Sequence, residues 1–419
     1  MLTIYVNKGS AWGVLDVPIN NSKAHTPTPS LSSTIIPDNT VVQSTLSHPQ
    51  STTSSSHFAA TGIENFEKSC YLNSVLQCLT GTPGFIHYFL EKTYENDLTL
   101  HRKSKLPCLT LEFAKMAANM WSGNFSAIKC DKIKVSCIST GVNRKLRLII
   151  LQKLAGEVDM EWGKNTEQDA HEFLSFFLNR VHDETKSDRN LNDNCSSDKL
   201  PPAAGAQWKK ANKENTSIIR QFFLGQTRTC LECGTCLETS STYAVFIDIA
   251  LPVPTVVNRP TTIEDCVSAF FASETLTGPD SIWHDAPCSP ITGTTKDLVI
   301  TRPPPVLITY LKRFLADGAK LTTPVEISLE LDIKNYIFLP TVPVEGRTGD
   351  KVEDTTLSES GSSVYDLYAL CNHKGTSLLS GHYTAQVKNI LTGKWNHFDD
   401  ARVTPIAIPE KLEVTLIPG

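Results

Sequence analysis

Two stretches of the chain space their apolar residues as a helix does. From Cys70 onward, Leu72, Val75, Leu76 and Leu79 share one stripe. From Thr166 onward, Ala170, Phe173, Leu174, Phe177, Leu178 and Val181 repeat at the same spacing for more than three turns. The pattern then changes. Residues 243–251 alternate, residues 306–314 form an apolar run with β-branched members, and 365–370 and 382–387 follow in the same manner. All four are predicted strands. Helices early and strands late favour an α+β fold over alternating βαβ units.

Polar tracts punctuate this pattern. Residues 20–57 are rich in Ser, Thr and Pro with few aromatics, too little apolar surface to offset the entropy of ordering. Residues 1–57 are therefore expected to be mostly disordered. Residues 186–216 and 345–363 read as polar insertions on the surface of one folded body spanning 58–419. No internal repeat is visible.

Composition narrows the functional classes. The 419 residues are 40% hydrophobic and 20% charged, with a net charge of −5. Such a chain has a globular balance and no basic footprint for nucleic acid. No run approaches the ~18 apolar residues of a transmembrane helix, and residues 1–13 lack the layout of a secretory signal. Twelve cysteines without an export signal point to a reducing, cytoplasmic or nuclear setting. There a thiol serves packing, metal or catalysis.

Cys70 stands at the start of its predicted helix, within Glu67-Lys68-Ser69-Cys70-Tyr71-Leu72-Asn73-Ser74. The partial positive charge of a helix N-terminus favours a thiolate, although one buried structural thiol among twelve would look the same. Residues 382–387 and 394–398 flank the turn-like stretch Asn389-Ile390-Leu391-Thr392-Gly393. A hairpin centred between Ile390 and Leu391 sets His382 directly opposite Asp399, with Cβ atoms about 4.5–5.5 Å apart. An imidazole so placed has its tautomer fixed by the carboxylate. Asp400 is the rival carboxylate, and a structural His–Asp pair is the plainer reading.

Cys230-Leu231-Glu232-Cys233-Gly234 resembles half of a zinc knuckle, with Cys236 as a substitute ligand. His284-Asp285-Ala286-Pro287-Cys288 offers the other half. Cys230, Cys233, His284 and Cys288 are thus a candidate tetrahedral set for a structural zinc, unless the site has decayed.

Taken in order, these residues resemble the ubiquitin-specific protease family. The stretch from Gly62 to Leu79, containing Asn65 and Cys70, is similar to its cysteine box, and Gln168-Asp169-Ala170-His171-Glu172-Phe173-Leu174 to its second box. Leu311-Lys312-Arg313-Phe314, Tyr365-Asp366-Leu367-Tyr368, Gly381-His382-Tyr383-Thr384-Ala385 and Trp395-Asn396-His397-Phe398-Asp399-Asp400 continue the match. Residues 229–252 look nearest to the yeast vacuolar-sorting subgroup. The resemblance implies a papain-like hand: a helical thumb carrying Cys70, a β palm carrying His382 and Asp399, and zinc-ribbon-like fingers at about 220–310 that grip ubiquitin. It implies that Asn65 donates to the oxyanion and that Gln168 and Asp169 contact the ubiquitin tail. Thr166-x-x-Asp169 also resembles a capping box, so Asp169 has a purely local role available. The implied activity is thiol-dependent hydrolysis at the C-terminal glycine of ubiquitin, on ubiquitinated proteins, with no cofactor in the chemistry.

The chain departs from that pattern in three places. Glu67 and Lys68-Ser69 replace the family's glycine and Asn-Thr, and residues 146–154 read as an insertion. The chain stops at Gly419, where the family normally adds a closing strand rich in Tyr, Leu and Phe, with 412–416 as a short substitute. A palm lacking that strand would expose an unpaired edge. Glu67 and the missing strand fit a ubiquitin-binding pseudoenzyme, whereas Cys70, His382, Asp399 and Asn65 fit an active enzyme. A papain-like hydrolase of another substrate would not need the finger cysteines, and a zinc-dependent binding module would leave Cys70 and His382 idle.

Overall fold

A computed structural model describes residues 1–9, 59–66, 68–98, 108–128, 155–157, 159–164, 166–186, 200–213, 216–278, 281, 288, 293–315, 319–338, 362–378, 380–407 and 412–413. Glu67, His284, the stretch 146–154, all of 20–57 and most of 345–363 lie outside the described residues.

The helices are α1 (Cys70–Thr80), α2 (Phe85–Leu90), α3 (Leu109–Met120), α4 (Ala170–Thr185), α5 (Pro202–Lys213), α6 (Ile218–Phe223) and α7 (Ile263–Phe270). The strands begin with β1 (Leu2–Asn7), β2 (Gly62–Ile63) and β3 (Ala127–Ile128). There follow β4 (Gly225–Cys233), β5 (Thr239–Phe246), β6 (Asp248–Leu251), β7 (Thr261–Thr262), β8 (Glu274–Leu276) and β9 (Thr294–Arg302). Then come β10 (Val306–Leu311), β11 (Val325–Ile327), β12 (Glu330–Asp332) and β13 (Val364–Ser377). The last are β14 (Ser380–Lys388), β15 (Trp395–Asp399), β16 (Arg402–Ile406) and β17 (Leu412–Glu413).

An eight-stranded sheet runs β16-β15-β14-β13-β1-β10-β6, with β12 also on β13. It is the palm, and a separate four-stranded sheet, β5-β4-β9-β8, forms the fingers. The predicted strand at 243–251 is in fact two: it breaks at Ile247, leaving β5 in the fingers and β6 in the palm. Residues 202–213, expected as part of a polar surface insertion, are the helix α5.

The thumb helices pack on one face of the palm. Every residue of α1 is buried, not only the predicted stripe, because the helix lies between β14 and α4. Tyr71 meets the edge of Phe173 at 5.5 Å between ring centroids. Leu76 is fully buried, so its truncation to alanine would cost about 2–5 kcal/mol. In α4, all six predicted apolar positions are buried. That helix begins at Ala170, and Asp169 is itself the N-cap, so no capping box runs from Thr166.

Leu2–Asn7, placed by sequence in a mostly disordered segment, is strand β1 at the centre of the palm, paired with β10 on one side and β13 on the other. In the palm, β1 thus joins β10 to β13 within one continuous sheet. Residues 412–413 form β17, which pairs with β11 in a small separate sheet and does not substitute in the palm. β1 carries apolar Leu2, Ile4, Tyr5 and Val6, but a segment of six residues ahead of a long polar tract gives little signal.

Candidate active site

Cys70 is the first residue of α1 and is buried. The turn before it is tied down locally: Ser69 N and Oγ donate to Asn65 Oδ1 at 3.2 and 3.3 Å, and Phe66 N donates to Ser69 Oγ at 2.9 Å. Asn65 Nδ2 in turn donates to Asp400 Oδ2 at 2.9 Å. The backbone at 65–69 is thereby fixed, with Cys70 presented at the positive end of its helix.

His382 is on β14 and Asp399 at the end of β15, and their side chains meet, Nε2 to Oδ1, at 2.6 Å. The ladder differs from the predicted one. Ala385 pairs with Phe398 and Gln386 with His397, so the same register continued to His382 would reach Ala401. The hairpin turn is centred one residue later than expected. A two-residue shift of partner leaves each side chain on its own face, so Asp399 still reaches His382, diagonally. With Nε2 given to Asp399, Nδ1 is the ring nitrogen left for the thiol.

The electrostatics favour an imidazolium. A hydrogen bond with Cys70 is the largest influence on His382; burial opposes it, and Asp399 reinforces it, so the pKa is raised to about 9. For Asp399, burial pushes upward but is outweighed by the hydrogen bond and charge of His382, and its carboxyl is held below the usual range. The three side chains are thus coupled as thiol, imidazole and carboxylate. Such a unit can deliver a nucleophile and then a proton.

Asp400 plays a different part from Asp399. Its Oδ1 accepts from Asn73 Nδ2 at 2.7 Å and its Oδ2 from Asn65, while it stays 3.8 Å from His382 Nε2. It sits at φ +50, in the left-handed region that Asp and Asn tolerate. Asp400 therefore pins the segment before α1 to the palm. Sequence reading missed a second neighbour, Glu167, whose Oε2 is 4.0 Å from Cys70 Sγ and whose Oε1 is 3.7 Å from Lys68 Nζ. Its position next to Gln168 and Asp169 was the available signal.

The two residues expected at a substrate tail are engaged within the protein. Asp169 Oδ1 accepts from His171 N and Glu172 N at 2.6 and 3.2 Å, and Gln168 Nε2 donates to Glu161 Oε1 at 2.9 Å. His373, read as structural, is buried; burial and the neighbouring Lys320 lower its pKa to about 3.

In the fingers, Cys233, Cys236 and Cys288 bring their sulfurs within 4.8 Å of one another. Cys230 is not among them, which corrects the expected set. It lies three residues before Cys233 on β4, and successive side chains on a strand alternate faces. The knuckle is Cys233-Gly234-Thr235-Cys236, at the turn into β5. Tetrahedral zinc with Zn–S near 2.3 Å holds its thiolates about 3.8 Å apart, so the cluster could supply three of the four ligands of such a site. Burial and hydrogen bonds from Cys236 and Cys233 push the Cys288 thiol up to about 12, a crowding that a divalent cation would relieve by ionising the thiols.

A model of the family described as ubiquitin carboxyl-terminal hydrolase matches residues 61–414. Ubiquitin carboxyl-terminal hydrolase 2 of Rattus norvegicus is 30% identical over 354 residues, covering 83% of this chain and 51% of that protein. Ubiquitin carboxyl-terminal hydrolase 4 of Saccharomyces cerevisiae is 30% identical over 386 residues, covering 86% of this chain and 39% of that protein. The chain thus spans about half or less of the length of these relatives. A solved structure of the SAGA Ubp8/Sgf11/Sus1/Sgf73 DUB module bound to ubiquitin aldehyde matches with a TM-score of 0.60 at 25% identity, over 85% of this chain and 67% of its counterpart. With its thumb, palm and fingers and a family match over most of its length, the chain belongs to the ubiquitin carboxyl-terminal hydrolases.

Proposed function

We propose that this protein is a thiol-dependent deubiquitinase that cleaves the isopeptide or peptide bond at the C-terminal glycine of ubiquitin. The observation that carries this reading is His382 bonded to Asp399 at 2.6 Å, with Cys70 the largest influence raising the His382 pKa. Cys70 attacks the glycine carbonyl, and the C–N bond breaks as His382 hands its proton to the departing lysine amine. Water, deprotonated by His382, then hydrolyses the thioester and regenerates the thiol. Asn65, beside Cys70, is the proposed side-chain donor to the oxyanion. Gln168 and Asp169, at the start of α4, are the proposed contacts for the ubiquitin tail.

Ubiquitin and ubiquitinated proteins are the proposed partners, a reading supported by the matched structure that holds ubiquitin aldehyde. Zinc at Cys233, Cys236 and Cys288 would be structural. Likeness over residues 229–252 supports the vacuolar-sorting subgroup, and a cytoplasmic or nuclear setting is proposed as one in which a catalytic thiol and a thiolate zinc site stay reduced.

A ubiquitin probe with a C-terminal electrophile tests the reading directly. Covalent labelling at Cys70, lost in Cys70→Ser together with hydrolysis of ubiquitin amides, is the expected result. A Cys70→Ser protein that keeps turning over would rule the assignment out.

A further inference from the structure

The carboxylates around Cys70 are engaged in different ways. Asp399 is bonded to His382 at 2.6 Å, and Asp400 to Asn65 and Asn73. Glu167, in the turn before α4, instead accepts a hydrogen bond from the thiol itself, with Oε2 at 4.0 Å from Sγ. Its other oxygen, Oε1, lies 3.7 Å from Lys68 Nζ. Two groups of opposite charge therefore act on the same sulfur. His382, its pKa raised chiefly by the hydrogen bond with Cys70, draws the thiol proton away, and Glu167 holds it back.

The surroundings leave the charge on Glu167 poorly screened. Its side chain is 14% exposed, against 47% for Lys68, so water reaches the cation far more than the carboxylate. Tyr71, next to Cys70 in α1, is buried, and its Oη has no hydrogen-bond partner among the described residues. Burial, followed by the charges of Cys70, Glu161 and Glu167, pushes its phenol up. That hydroxyl thus shares a corner with the thiol and the carboxylate. Glu161, the second acid there, is paired with Lys164 and accepts from Gln168 at 2.9 Å.

Lys68 belongs to the segment where the chain departs from the cysteine box it resembles. The hydrogen bonds among Asn65, Phe66 and Ser69 fix that segment, so its ammonium is delivered to Glu167 from a tethered backbone. A carboxylate that accepts a thiol's hydrogen bond favours the thiol over the thiolate, because the thiolate would face a like charge. The thiolate is the attacking species. A cation on that carboxylate weakens the restraint by offsetting its charge.

We propose that Glu167 and Lys68 are a charge couple that sets the reactivity of the nucleophile: Glu167 restrains Cys70 in its thiol form, and Lys68, by pairing with Glu167, limits that restraint. Glu167 touches the reacting sulfur, whereas Lys68 acts only through Glu167 and is a positioning residue. The proposal rests on the reading of Cys70 as the nucleophile. It gives Lys68, a departure from the family pattern, a task that the hydrolytic mechanism by itself does not assign.

The test is the rate at which Cys70 of the full chain is alkylated in mildly acidic solution, read by mass spectrometry of the Cys70 peptide. Glu167→Gln, which keeps the shape and removes the charge, should speed alkylation by iodoacetamide about 10-fold, the scale of a unit charge a few ångströms away in a partly shielded site. Lys68→Met should slow it about 3-fold, less because the pair is half open to water, and Lys68→Arg should restore the rate. In the Glu167→Gln background Lys68→Met should change little. Anionic iodoacetate should gain more than neutral iodoacetamide from Glu167→Gln, a difference that a merely structural role would not produce. Equal slowing by Lys68→Met with and without Glu167, or parallel changes for the two reagents in Glu167→Gln, would overturn the proposal. Alkylation is read without ubiquitin, so a protein that shows these rates yet leaves ubiquitin amides intact would refute the deubiquitinase reading and uphold the charge couple.

Discussion

The two adjacent carboxylates at the end of β15 should separate cleanly by mutation. Asp400 accepts from Asn73 at 2.7 Å and from Asn65 at 2.9 Å. Asn73 is 2% exposed, so water cannot replace its lost partner. In Asp400→Asn one carboxylate oxygen becomes an NH2 group facing another amide NH2, and one charge-assisted hydrogen bond is lost. That loss is worth about 1.5–3 kcal/mol. For a body of this size the melting temperature should fall on the order of 5 °C. Asp400→Ala should be worse, because it removes both bonds and loses the polar side chain that helps Asp tolerate φ +50. Asp399→Ala should barely move the melting temperature, since Asp399 is partly exposed, yet should lower turnover about 100- to 10,000-fold through loss of the oriented imidazole. Thermal unfolding by circular dichroism, together with steady-state hydrolysis of a ubiquitin amide, reads both quantities. Suppose instead that Asp400→Asn melts normally but is as inactive as a histidine mutant, while Asp399→Ala remains active. Asp400 would then be the carboxylate that orients His382.

Three further outcomes are expected. His382→Ala should match Cys70→Ser in loss of hydrolysis, and His382→Ala/Asp399→Ala should be little worse than His382→Ala, because members of one unit are non-additive; kinetics of the single and double mutants check this. The proton held by His382, with its pKa raised to about 9, should make kcat/KM fall as pH rises through that value. Because the folded pKa lies above the ordinary 6.5, the stabilisation it brings is complete below about 6.5 and disappears through about 9; a pH series of rate and melting curves reads both. Elemental analysis should find about one zinc per chain, lost in Cys233→Ser or Cys236→Ser and kept in Cys230→Ser, and stripping it should weaken ubiquitin binding more than alkylation of Cys70 by a small reagent.

Much of the site is visible in the sequence because its parts are local. Cys70 at a helix start, the apolar face of α4, and the hairpin that joins His382 to Asp399 each follow from spacing and turn chemistry within about twenty residues. Period-two alternation even rescued the His–Asp pairing when the register moved by two. The same rule governs the zinc set: residues three apart on a strand face opposite sides, so Cys230 and Cys233 diverge, and the turn brings in Cys236 instead. Other features belong to tertiary structure alone. Asp400 gains its role from Asn65 and Asn73, more than three hundred residues away, and Glu167 becomes a neighbour of Cys70 only when α4 packs against α1. Strand β1 is the clearest case. A strand's neighbours are set by backbone hydrogen bonds that any sequence can make, so a six-residue segment, Leu-Thr-Ile-Tyr-Val-Asn, ahead of a long polar tract carries no mark of the slot it enters. Only the assembled palm, with β10 and β13 already apart by the width of one strand, decides that the segment belongs at its centre.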